Sequence, residues 1–425
     1  MKRKGKVLML ASVASMIDQF NMPNIRLLTD MGYEVHVMCN FKHGNTCDDK
    51  RLKKLYQTLQ NMHVICHQWD CPRNLCSVRK GVNAYRQLWE LTGDDAFVWM
   101  HCHSPIGGAL ARIIAHRRKI RVIYTAHGFH FYKGAPFINW LLYYPVEKLL
   151  SHWTDVLITV NREDQYFAMQ NFSAERVCYI PGVGIDTKNF RKYSEAASEK
   201  ANAHEKDQFC RKYRIPKDAL VLLSVGELNK GKNHRIVIKA LASIHRQDIY
   251  YLICGQGRLK KYLQRYADKL GIGDHIRMPG FQDDMAWIYQ YADIFVFPSI
   301  REGMPVALME AMAAGLPCVV SDIRGNRELI ADAKHRQYRT DKHLDFGAGG
   351  IRISLNESEK FAEALKIMLN DARLRQLCGS YNKKKIQGYD QIVVQLRMKK
   401  IYQELEYRTN RASYREERFN KKYKE

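Results

Sequence analysis

Two glutamates enclose the part of this chain whose residue types and spacing point most directly to chemistry. Glu302 and Glu310 are separated by seven residues. Between them, Pro305 suits the first position of a helix, where its missing N–H costs no hydrogen bond, and Gly315 suits the end of one. We therefore predict a helix from Pro305 to Ala314. Glu302 would lie in the loop before it, and Glu310 about one and a half turns inside it.

This loop and helix would bind an anionic ligand. The N–H groups near Gly303 and Met304 would lie at the helix N-terminus, where the helix dipole favours negative charge, and Gly303 lets a phosphate approach the backbone. With a carboxylate on either side, the ligand that fits is a diphosphate with hydroxyl groups at both ends, as in a nucleoside diphosphate sugar. The alternative is a capped helix with two solvated glutamates, which the flanking strands, loop and Gly stop make less favoured.

A second loop offers cations at the end of a predicted strand. Lys230 and Lys232 follow Gly226, which ends an apolar run. Ligands of open α/β sheets bind outside the carboxyl ends of the strands, and an ammonium group is a good phosphate binder. The alternative for these lysines is a solvated loop. Gly255 and Gly257 form a G-x-G that by itself indicates only a tight turn from strand to helix.

Two segments resemble the family 4 retaining glycosyltransferases, which have the two-lobed GT-B fold. The segment 297–330 contains the E-x7-E pattern, and Tyr124–Pro136 (YTAHGFHFYKGAP) is similar to a subgroup from bacterial capsule and exopolysaccharide clusters. The resemblance covers roughly residues 5 to 400. It implies transfer of a sugar from a nucleotide-sugar with retained anomeric configuration.

The resemblance also implies roles for single residues. His127 stands in the place of the active-site histidine, and its position just after a predicted strand brings it to the carboxyl edge of the first sheet. Lys232 takes the place of the phosphate-binding lysine. Glu302 and His127 would orient the sugar, and Glu310 would hold the ribose hydroxyls. Many relatives have arginine where this chain has Glu227, so Lys230 or another base would have to supply that contact.

These assignments divide the candidate residues of the nucleotide-sugar site into two groups. The catalytic residues would be His127, Glu302 and Lys232. The residues that bind the donor would be Glu310, Gly303, Met304, Pro305, Lys230, Gly226, Gly255 and Gly257.

The fold class predicted is α/β, with two Rossmann-like domains that face a central cleft. Helical periodicity alternates with apolar runs in both halves, which is typical of doubly wound parallel sheets. The domains would be 1–190, which binds the acceptor, and 191–388, which binds the nucleotide-sugar, followed by a crossover helix and charged tail at 389–425. That helix, over 389–407, would cross back to the N-terminal domain. Polar residues at 193–206 indicate a linker or exposed loop.

The apolar runs predict the strands individually. Those of the first half are Val7–Leu10, Glu34–Cys39, His63–His67, Phe97–His101, Arg121–Thr125, Asp155–Val160 and Val177–Ile180. Those of the second half are Leu220–Gly226, Tyr250–Cys254, Ile276–Met278, Ile294–Phe297 and Cys318–Ser321.

Composition limits the protein class. A chain of 425 residues is too long for one core and fits two α/β domains. The 11 cysteines show no C-x-x-C pair and no zinc-site spacing, so we expect reduced thiols and a cytosolic compartment. Polar residues interrupt the apolar stretch Val7–Ala14, which favours a first strand over a signal peptide. No run is apolar enough to span a membrane, so any membrane association would be peripheral.

The net charge of +24 implies an acidic partner or surface. No nucleic-acid-binding motif accompanies it, which favours an anionic bilayer over nucleic acid. The alternative is a solvated basic surface. A stretch rich in aromatic residues, Phe137–Leu150, could dock on the membrane or hold a lipid-linked acceptor, or could instead be a core helix kinked at Pro145. The candidate residues for acceptor or membrane are His130, Trp140, Tyr143, Tyr144, Arg117, Arg118 and Lys119.

Together these observations predict a glycosyltransferase on the inner face of the plasma membrane. It would move a hexose or N-acetylhexosamine from a UDP-sugar to a polyprenyl diphosphate-linked saccharide, in cell-surface polysaccharide biosynthesis. No D-x-D triplet occurs, so we expect neither a metal nor another cofactor. Two alternatives stay open: a GT-B-fold sugar-nucleotide epimerase or phosphorylase, and a non-enzymatic basic protein that binds membrane or nucleic acid. The second leaves the segment 302–317 unexplained.

Overall fold

The chain consists of two compact units. The computed structural model describes residues 4–45, 49–72, 77–94, 96–190, 199–330 and 344–422. One unit comprises Met1–Val183 with Ile392–Glu425, and the other comprises Gly184–Gln391. These limits differ by a few residues from the predicted domain boundaries at 190 and 388. The binding roles predicted for the two domains stay predictions.

The N-terminal unit is built on a sheet of seven strands, all paired in parallel, in the order β3-β2-β1-β4-β5-β6-β7. The strands are β1 Lys6–Leu10, β2 Glu34–Cys39, β3 Ile65–Gln68, β4 Phe97–His103, β5 Arg121–Ala126, β6 Val156–Thr159 and β7 Arg176–Tyr179. The helices of this part of the chain are Ala14–Phe20, Met22–Asp30, Asp49–Asn61, Val78–Asp94, Pro105–Arg118, Phe137–Ser151 and Arg162–Asn171.

Both faces of this sheet are covered, which explains why its central strands read as continuous apolar runs. The helix Gln391–Lys422 contributes to one of the two cores. Its residues Val394, Met398 and Tyr402 are buried there, and the Tyr402 ring stacks on Trp99 with 5.2 Å between ring centroids. The predicted C-terminal helix therefore exists, but it continues to Lys422 instead of ending near 407.

The C-terminal unit has a second seven-stranded sheet, in the order β10-β9-β8-β11-β12-β14-β13. Its strands are β8 Leu220–Val225, β9 Ile249–Cys254, β10 Ile276–Gly280, β11 Ile294–Phe297, β12 Cys318–Ser321, β13 Asp345–Gly347 and β14 Gly350–Ile353. Only the pairing of β13 with β14 is antiparallel among the described strands. The helices are Glu199–Tyr213, His234–Ala242, Lys260–Lys269, Met285–Gln290, Val306–Ala314, Arg324–Ile330, Ser358–Asn370 and Ala372–Lys385, with 3-10 turns at Gly273–His275 and Ile386–Tyr389.

The linker predicted at 193–206 is wrong in its second part. Residues 193–198 lie outside the described residues, but a helix runs over Glu199–Tyr213. The sequence there is rich in Ala, Glu and Lys, which are strong helix formers. The helix is fixed at its end by Phe209, Cys210 and Tyr213, which are buried in the core.

Two further details bear on membrane association and redox state. No helix in the described part of the chain combines the length and apolar character needed to cross a bilayer. All nine cysteines of the described segments are free thiols.

Candidate nucleotide-sugar site

The residues predicted for the donor meet at one edge of the C-terminal sheet. Strands β9, β8, β11 and β12 are neighbours and run parallel, so the loops that follow them emerge side by side. The loops after β8 and β11 are joined directly, because the Ile300 N–H donates to the Gly231 carbonyl at 2.9 Å. Lys230, Lys232, Glu302 and the start of the Val306–Ala314 helix therefore belong to one surface.

The G-x-G glycines have a packing reason at this edge. A Cβ on Gly255 would lie 1.9 Å from the Gly226 carbonyl oxygen, and one on Gly257 would lie 2.5 Å from the Leu228 carbonyl oxygen. Both glycines also have φ above +150°. They let the loop after β9 pack against the loop after β8, which carries Lys230 and Lys232. Their role is therefore to allow this packing. Gly226 packs against the Lys232 side chain in the same way, because a Cβ built on Gly226 would lie 3.0 Å from Lys232 Cε.

The two predicted catalytic residues of this unit are paired with each other. The Lys232 ammonium lies 2.6 Å from Glu302 Oε1, and it also stands 4.9 Å from the centroid of the Phe297 ring. The Lys232 backbone is held by the Asn229 side chain, which accepts from its N–H at 3.0 Å. Both charged groups keep a quarter or less of their side-chain surface exposed. Lys232 is thus oriented before any ligand arrives, and it can share its charge between Glu302 and an incoming phosphate.

The helix that carries Glu310 begins one residue later than predicted. It spans Val306–Ala314, and Pro305 is its N-cap, with an extended ψ of 112°. Pro305 is therefore not at the first helical position, because a ψ of 112° is not helical. Its φ would suit both the N-cap and the first helical position. Gly315 ends the helix in the left-handed conformation, as its sequence position predicts. Gly325 packs closely against the loop in front of this helix, because a Cβ built on Gly325 would lie 2.5 Å from the Gly303 carbonyl oxygen. This packing fixes the loop.

Glu310 is a perturbed carboxyl group. Burial raises its pKa from 4.5 to about 7, and a hydrogen bond with the Tyr289 hydroxyl, 3.1 Å from Oε2, offsets part of that effect. The Tyr289 hydroxyl also lies 2.9 Å from the Ala307 carbonyl. A carboxyl group that is desolvated and hydrogen-bonded in this way is suited to hold neutral hydroxyl groups.

Glu227 and Lys230 differ from this set. Both side chains are exposed, and neither forms an ion pair within the described residues. Lys230 is free to move towards an anion bound at this edge.

His127 belongs to a histidine cluster in the N-terminal unit. It follows β5, and its Nε2 lies 3.0 Å from Nδ1 of His103, the last residue of β4. His101, two residues earlier on β4, bonds to the hydroxyls of Tyr402 at 2.9 Å and Thr125 at 2.8 Å. Burial lowers the pKa of His127 to about 4 and that of His101 to about 3. The cluster is therefore neutral at physiological pH.

A small cavity of about 30 Å³ opens beside this cluster. His103, His127 and Thr125 line it together with Phe20, whose ring centroid is 5.5 Å from that of His127. Gln395 of the C-terminal helix, Asn21 and Asn24 also contribute polar groups to its wall. That volume is large enough to hold water.

The aromatic residues predicted for acceptor or membrane face the interior. Trp140, Tyr143 and Tyr144 are partly buried and pack against the core that contains Phe131, and His130 stacks on Tyr143 at 4.5 Å between centroids. The helix Phe137–Ser151 is continuous through Pro145. Its outward face is apolar and mainly aliphatic, with Phe137, Ile138, Leu141, Leu142, Val146 and Leu149 each at least 46 % exposed.

The basic residues near 117 are in part structural. Arg118 stacks on Trp89 at 3.8 Å and donates to its carbonyl, and Arg117 donates to the Tyr85 hydroxyl at 2.8 Å. Lys119 is exposed and ends the helix in the left-handed conformation. Arg112, in the same basic stretch of sequence, is buried and forms an ion pair with Glu147 at 2.8 Å. Of these side chains, that of Lys119 is the one with no hydrogen bond, ion pair or cation–π contact in the described part of the chain.

Three residues that shape the sites were not predicted from the sequence. Tyr289 contacts Glu310 but lies in a short helix with no distinguishing pattern. His101 was assigned only to a strand and His103 was given no role, although H-C-H at the end of a predicted strand is a signal that could have been used.

Comparison with known proteins agrees with this geometry. Residues 205–385 match the family described as "Glycosyl transferases group 1", and residues 22–182 match the "Glycosyl transferase 4-like domain". EpsD of Bacillus subtilis (strain 168), whose name carries a provisional glycosyltransferase assignment, is 33% identical over 386 residues that cover 89% of this chain and 91% of EpsD. The chain belongs to this glycosyltransferase family. The protein is accordingly a glycosyltransferase.

More distant relatives extend the comparison. An Escherichia coli enzyme named UDP-Gal:alpha-D-GlcNAc-diphosphoundecaprenol alpha-1,3-galactosyltransferase is 25% identical and aligns with 92% of this glycosyltransferase and 95% of its own length. The fold matches crystal structures of Anabaena HepE in complex with UDP and glucose (TM-score 0.71, 15% identity, 94% of this chain and 100% of HepE) and of WaaG, a glycosyltransferase involved in lipopolysaccharide biosynthesis (TM-score 0.67, 17% identity, 93% and 99%). The fold is thus that of the GT-B glycosyltransferases.

Proposed function

We propose that this glycosyltransferase transfers a hexose or N-acetylhexosamine from a UDP-sugar to a polyprenyl diphosphate-linked saccharide, with retained configuration, in cell-surface polysaccharide biosynthesis. The observation that carries the proposal is the sheet edge where the Lys232–Glu302 pair lies on the loops that precede the helix carrying Glu310. The names of the Escherichia coli relative and of the HepE complex, which specify UDP-linked donors or UDP itself, support the choice of nucleotide.

The reaction asks the protein to stabilise a departing diphosphate and a sugar with oxocarbenium character. Lys232 and the N–H groups at Gly303 and Met304 would take up the charge that develops on the diphosphate. Because Glu302 already holds Lys232, little reorganisation is needed when the leaving group forms. Glu310 would accept hydrogen bonds from the ribose hydroxyls, and Glu302 and His127 would orient the transferred sugar.

We expect no metal ion in this chemistry. The sequence has no D-x-D triplet to anchor a cation on the diphosphate, and the cationic contacts named above can neutralise it. The donor is then the only small molecule required besides the acceptor.

We further propose that the protein binds the anionic inner face of the plasma membrane as a peripheral protein. The helix Phe137–Ser151 exposes six apolar side chains on one side, which is the arrangement of an interfacial helix. Lys133 and Lys148 are exposed beside them, and the whole chain carries a net charge of +24. This surface would bring the enzyme to an acceptor whose polyprenyl chain lies in the bilayer.

A transfer assay with and without acceptor tests the proposal. Purified protein is incubated with single UDP-, GDP- and dTDP-sugars and a short-chain polyprenyl diphosphate-linked saccharide, and the products are analysed by mass spectrometry. We expect an acceptor product heavier by one sugar residue, with release of UDP. Conversion of the nucleotide-sugar without acceptor would indicate an epimerase, and a requirement for inorganic phosphate would indicate a phosphorylase.

A further inference from the structure

Three side chains of the N-terminal unit fix the position of a proton on His127. Met9 lies on β1, His103 ends β4 and His127 follows β5, and these strands are neighbours in the sheet. The Met9 sulfur lies 3.2 Å from His103 Nε2, and His103 Nδ1 lies 3.0 Å from His127 Nε2. Met9 thus contacts His103, and His103 in turn contacts His127.

The direction of the first contact follows from the chemistry of sulfur. A thioether has lone pairs and no proton, so it can only accept a hydrogen bond. Met9 and His103 are both 1 % exposed, and the sulfur itself, 3.2 Å from Nε2, occupies the position of a hydrogen-bond partner. His103 Nε2 must therefore carry a proton, because a bare nitrogen facing the sulfur would be a buried acceptor without a partner.

The direction of the second contact follows from the first. Burial lowers the pKa of His103 well below its ordinary value and that of His127 to about 4, so each ring carries one proton at neutral pH. With its proton on Nε2, His103 has a bare Nδ1 that can only accept. His127 must then donate from Nε2, and its own Nδ1 is bare.

We propose that His103 is a positioning residue that holds His127 in the Nε2–H tautomer, so that His127 offers Nδ1 as an acceptor to a hydroxyl group of the transferred sugar. No hydrogen bond within the described residues occupies that Nδ1, and His127 lines the small cavity. The ligand group it selects is a hydrogen-bond donor, not a carbonyl or phosphate oxygen. The tautomer is independent of the proposed function, whereas the role assigned to it rests on that function.

His101 does not compete for this control. It lies 4.3 Å from His103 between ring centroids, but its two nitrogens face the hydroxyls of Tyr402 and Thr125. A hydroxyl can donate or accept, so these contacts impose no tautomer on the neighbouring rings.

The test is nitrogen NMR of the histidine rings in the ligand-free, full-length protein at pH 7. Protein labelled with 15N-histidine is recorded in long-range proton–nitrogen correlation spectra, which distinguish protonated from bare ring nitrogens. The His127 signals are assigned by their loss in His127→Gln. We expect a protonated Nε2 and a bare Nδ1, and a protonated Nδ1 would overturn the proposal.

Two substitutions separate positioning from general packing. His103→Asn can place an amide oxygen near the position of Nδ1 and should keep the His127 tautomer, whereas His103→Phe fills the space without an acceptor and should give a mixture of both tautomers. Met9→Leu, which conserves volume, should loosen the tautomer in the same way if His103→Phe does not fold. An unchanged Nε2–H tautomer in a folded His103→Phe protein would show that His103 does not set it.

A binding experiment connects the tautomer to the sugar. For a UDP-sugar that binds, each sugar hydroxyl is replaced in turn by fluorine, which can accept but not donate. If His127 is an acceptor, one fluoro analogue should lose about tenfold in affinity, and His127→Ala should remove that difference. The expected tautomer without any binding of a nucleotide-sugar would refute the proposed function alone, and donor binding with a protonated Nδ1 would refute the tautomer alone.

Discussion

The raised pKa of Glu310 predicts how donor affinity changes with pH. Burial raises this pKa to about 7, so in the free protein about a tenth of the molecules carry the carboxylate at pH 6 and about nine tenths at pH 8. Only the carboxylate accepts hydrogen bonds from both ribose hydroxyls. The dissociation constant of a UDP-sugar should therefore fall about tenfold between pH 6 and pH 8, which is about 1.4 kcal/mol.

Glu310→Gln removes this titration while keeping the shape of the side chain. At pH 8 we expect it to weaken binding by roughly tenfold to a hundredfold, the range for hydrogen bonds to a charged group, and to abolish the slope between pH 6 and pH 8. His127 and His234 titrate at about 4 and about 3, below this window, and so do not contribute. The exposed Glu359→Gln serves as the matched control and should keep the slope of the parent protein.

The same substitution has an opposite effect on stability. A carboxyl group whose pKa is raised from 4.5 to about 7 contributes stability that is complete below about pH 4.5 and is lost as the pH rises through about 7. At pH 8 the ligand-free Glu310→Gln protein should therefore unfold at or above the temperature of the parent, with a free-energy gain of at most about 3 kcal/mol.

The assay is titration calorimetry with a UDP-sugar, since its diphosphate has no proton that titrates in this range. Thermal unfolding of each variant without ligand is measured in parallel. Flat affinity from pH 6 to pH 8 in the parent protein, or an unchanged slope in Glu310→Gln, would refute the role assigned to Glu310. Weaker binding accompanied by a loss of stability would mean that the substitution damages the fold.

Three further predictions follow from the sites. Lys232→Met should lower kcat/KM by at least about a hundredfold, because it removes a contact to the leaving group, and an effect no larger than that of Lys366→Met, an exposed lysine with no proposed role, would contradict this. Turnover should persist in excess EDTA, and loss that magnesium or manganese restores would show a metal requirement. The double variant Leu141→Gln with Leu149→Gln should weaken binding to anionic vesicles without changing transfer to a short-chain acceptor. The control Leu377→Gln, at an exposed position of the other unit, should change neither vesicle binding nor transfer. Equal vesicle binding by the parent protein, the double variant and the control would show that this helix does not dock on the membrane.

Much of the fold can be predicted because its strands are buried on both faces. Each of the twelve predicted strands overlaps an observed one, since a run of Val, Ile and Leu between helical segments has few other interpretations. The pair β13 and β14 was missed because it is short and rich in glycine. Gly350 is needed there for close approach, as a Cβ on it would lie 1.9 Å from the Cys318 carbonyl oxygen, yet in sequence it reads as a loop.

Site features formed by contiguous residues could be predicted from the sequence, whereas contacts between distant residues could not. The Glu302 to Gly315 segment was interpretable because its loop, helix and stop are contiguous. The pair Lys232–Glu302 joins residues 70 positions apart in the sequence. The contact of His103 with His127 depends on the register of neighbouring strands, which cannot be inferred from the sequence alone. The helix Phe137–Ser151 is apolar on several sides, so the pattern alone could not show that Trp140, Tyr143 and Tyr144 pack against the core while Leu141, Leu142 and Leu149 are exposed.

A crystal structure of the protein with a bound UDP-sugar would test the central claim most directly. We predict that the ribose hydroxyls lie within hydrogen-bond distance of the Glu310 carboxylate. The diphosphate should contact Lys232 and the N–H groups at Gly303 and Met304, without a bridging metal ion. A nucleotide bound away from the edge formed by Lys232, Glu302 and Glu310 would contradict the assignment of this edge as the donor site.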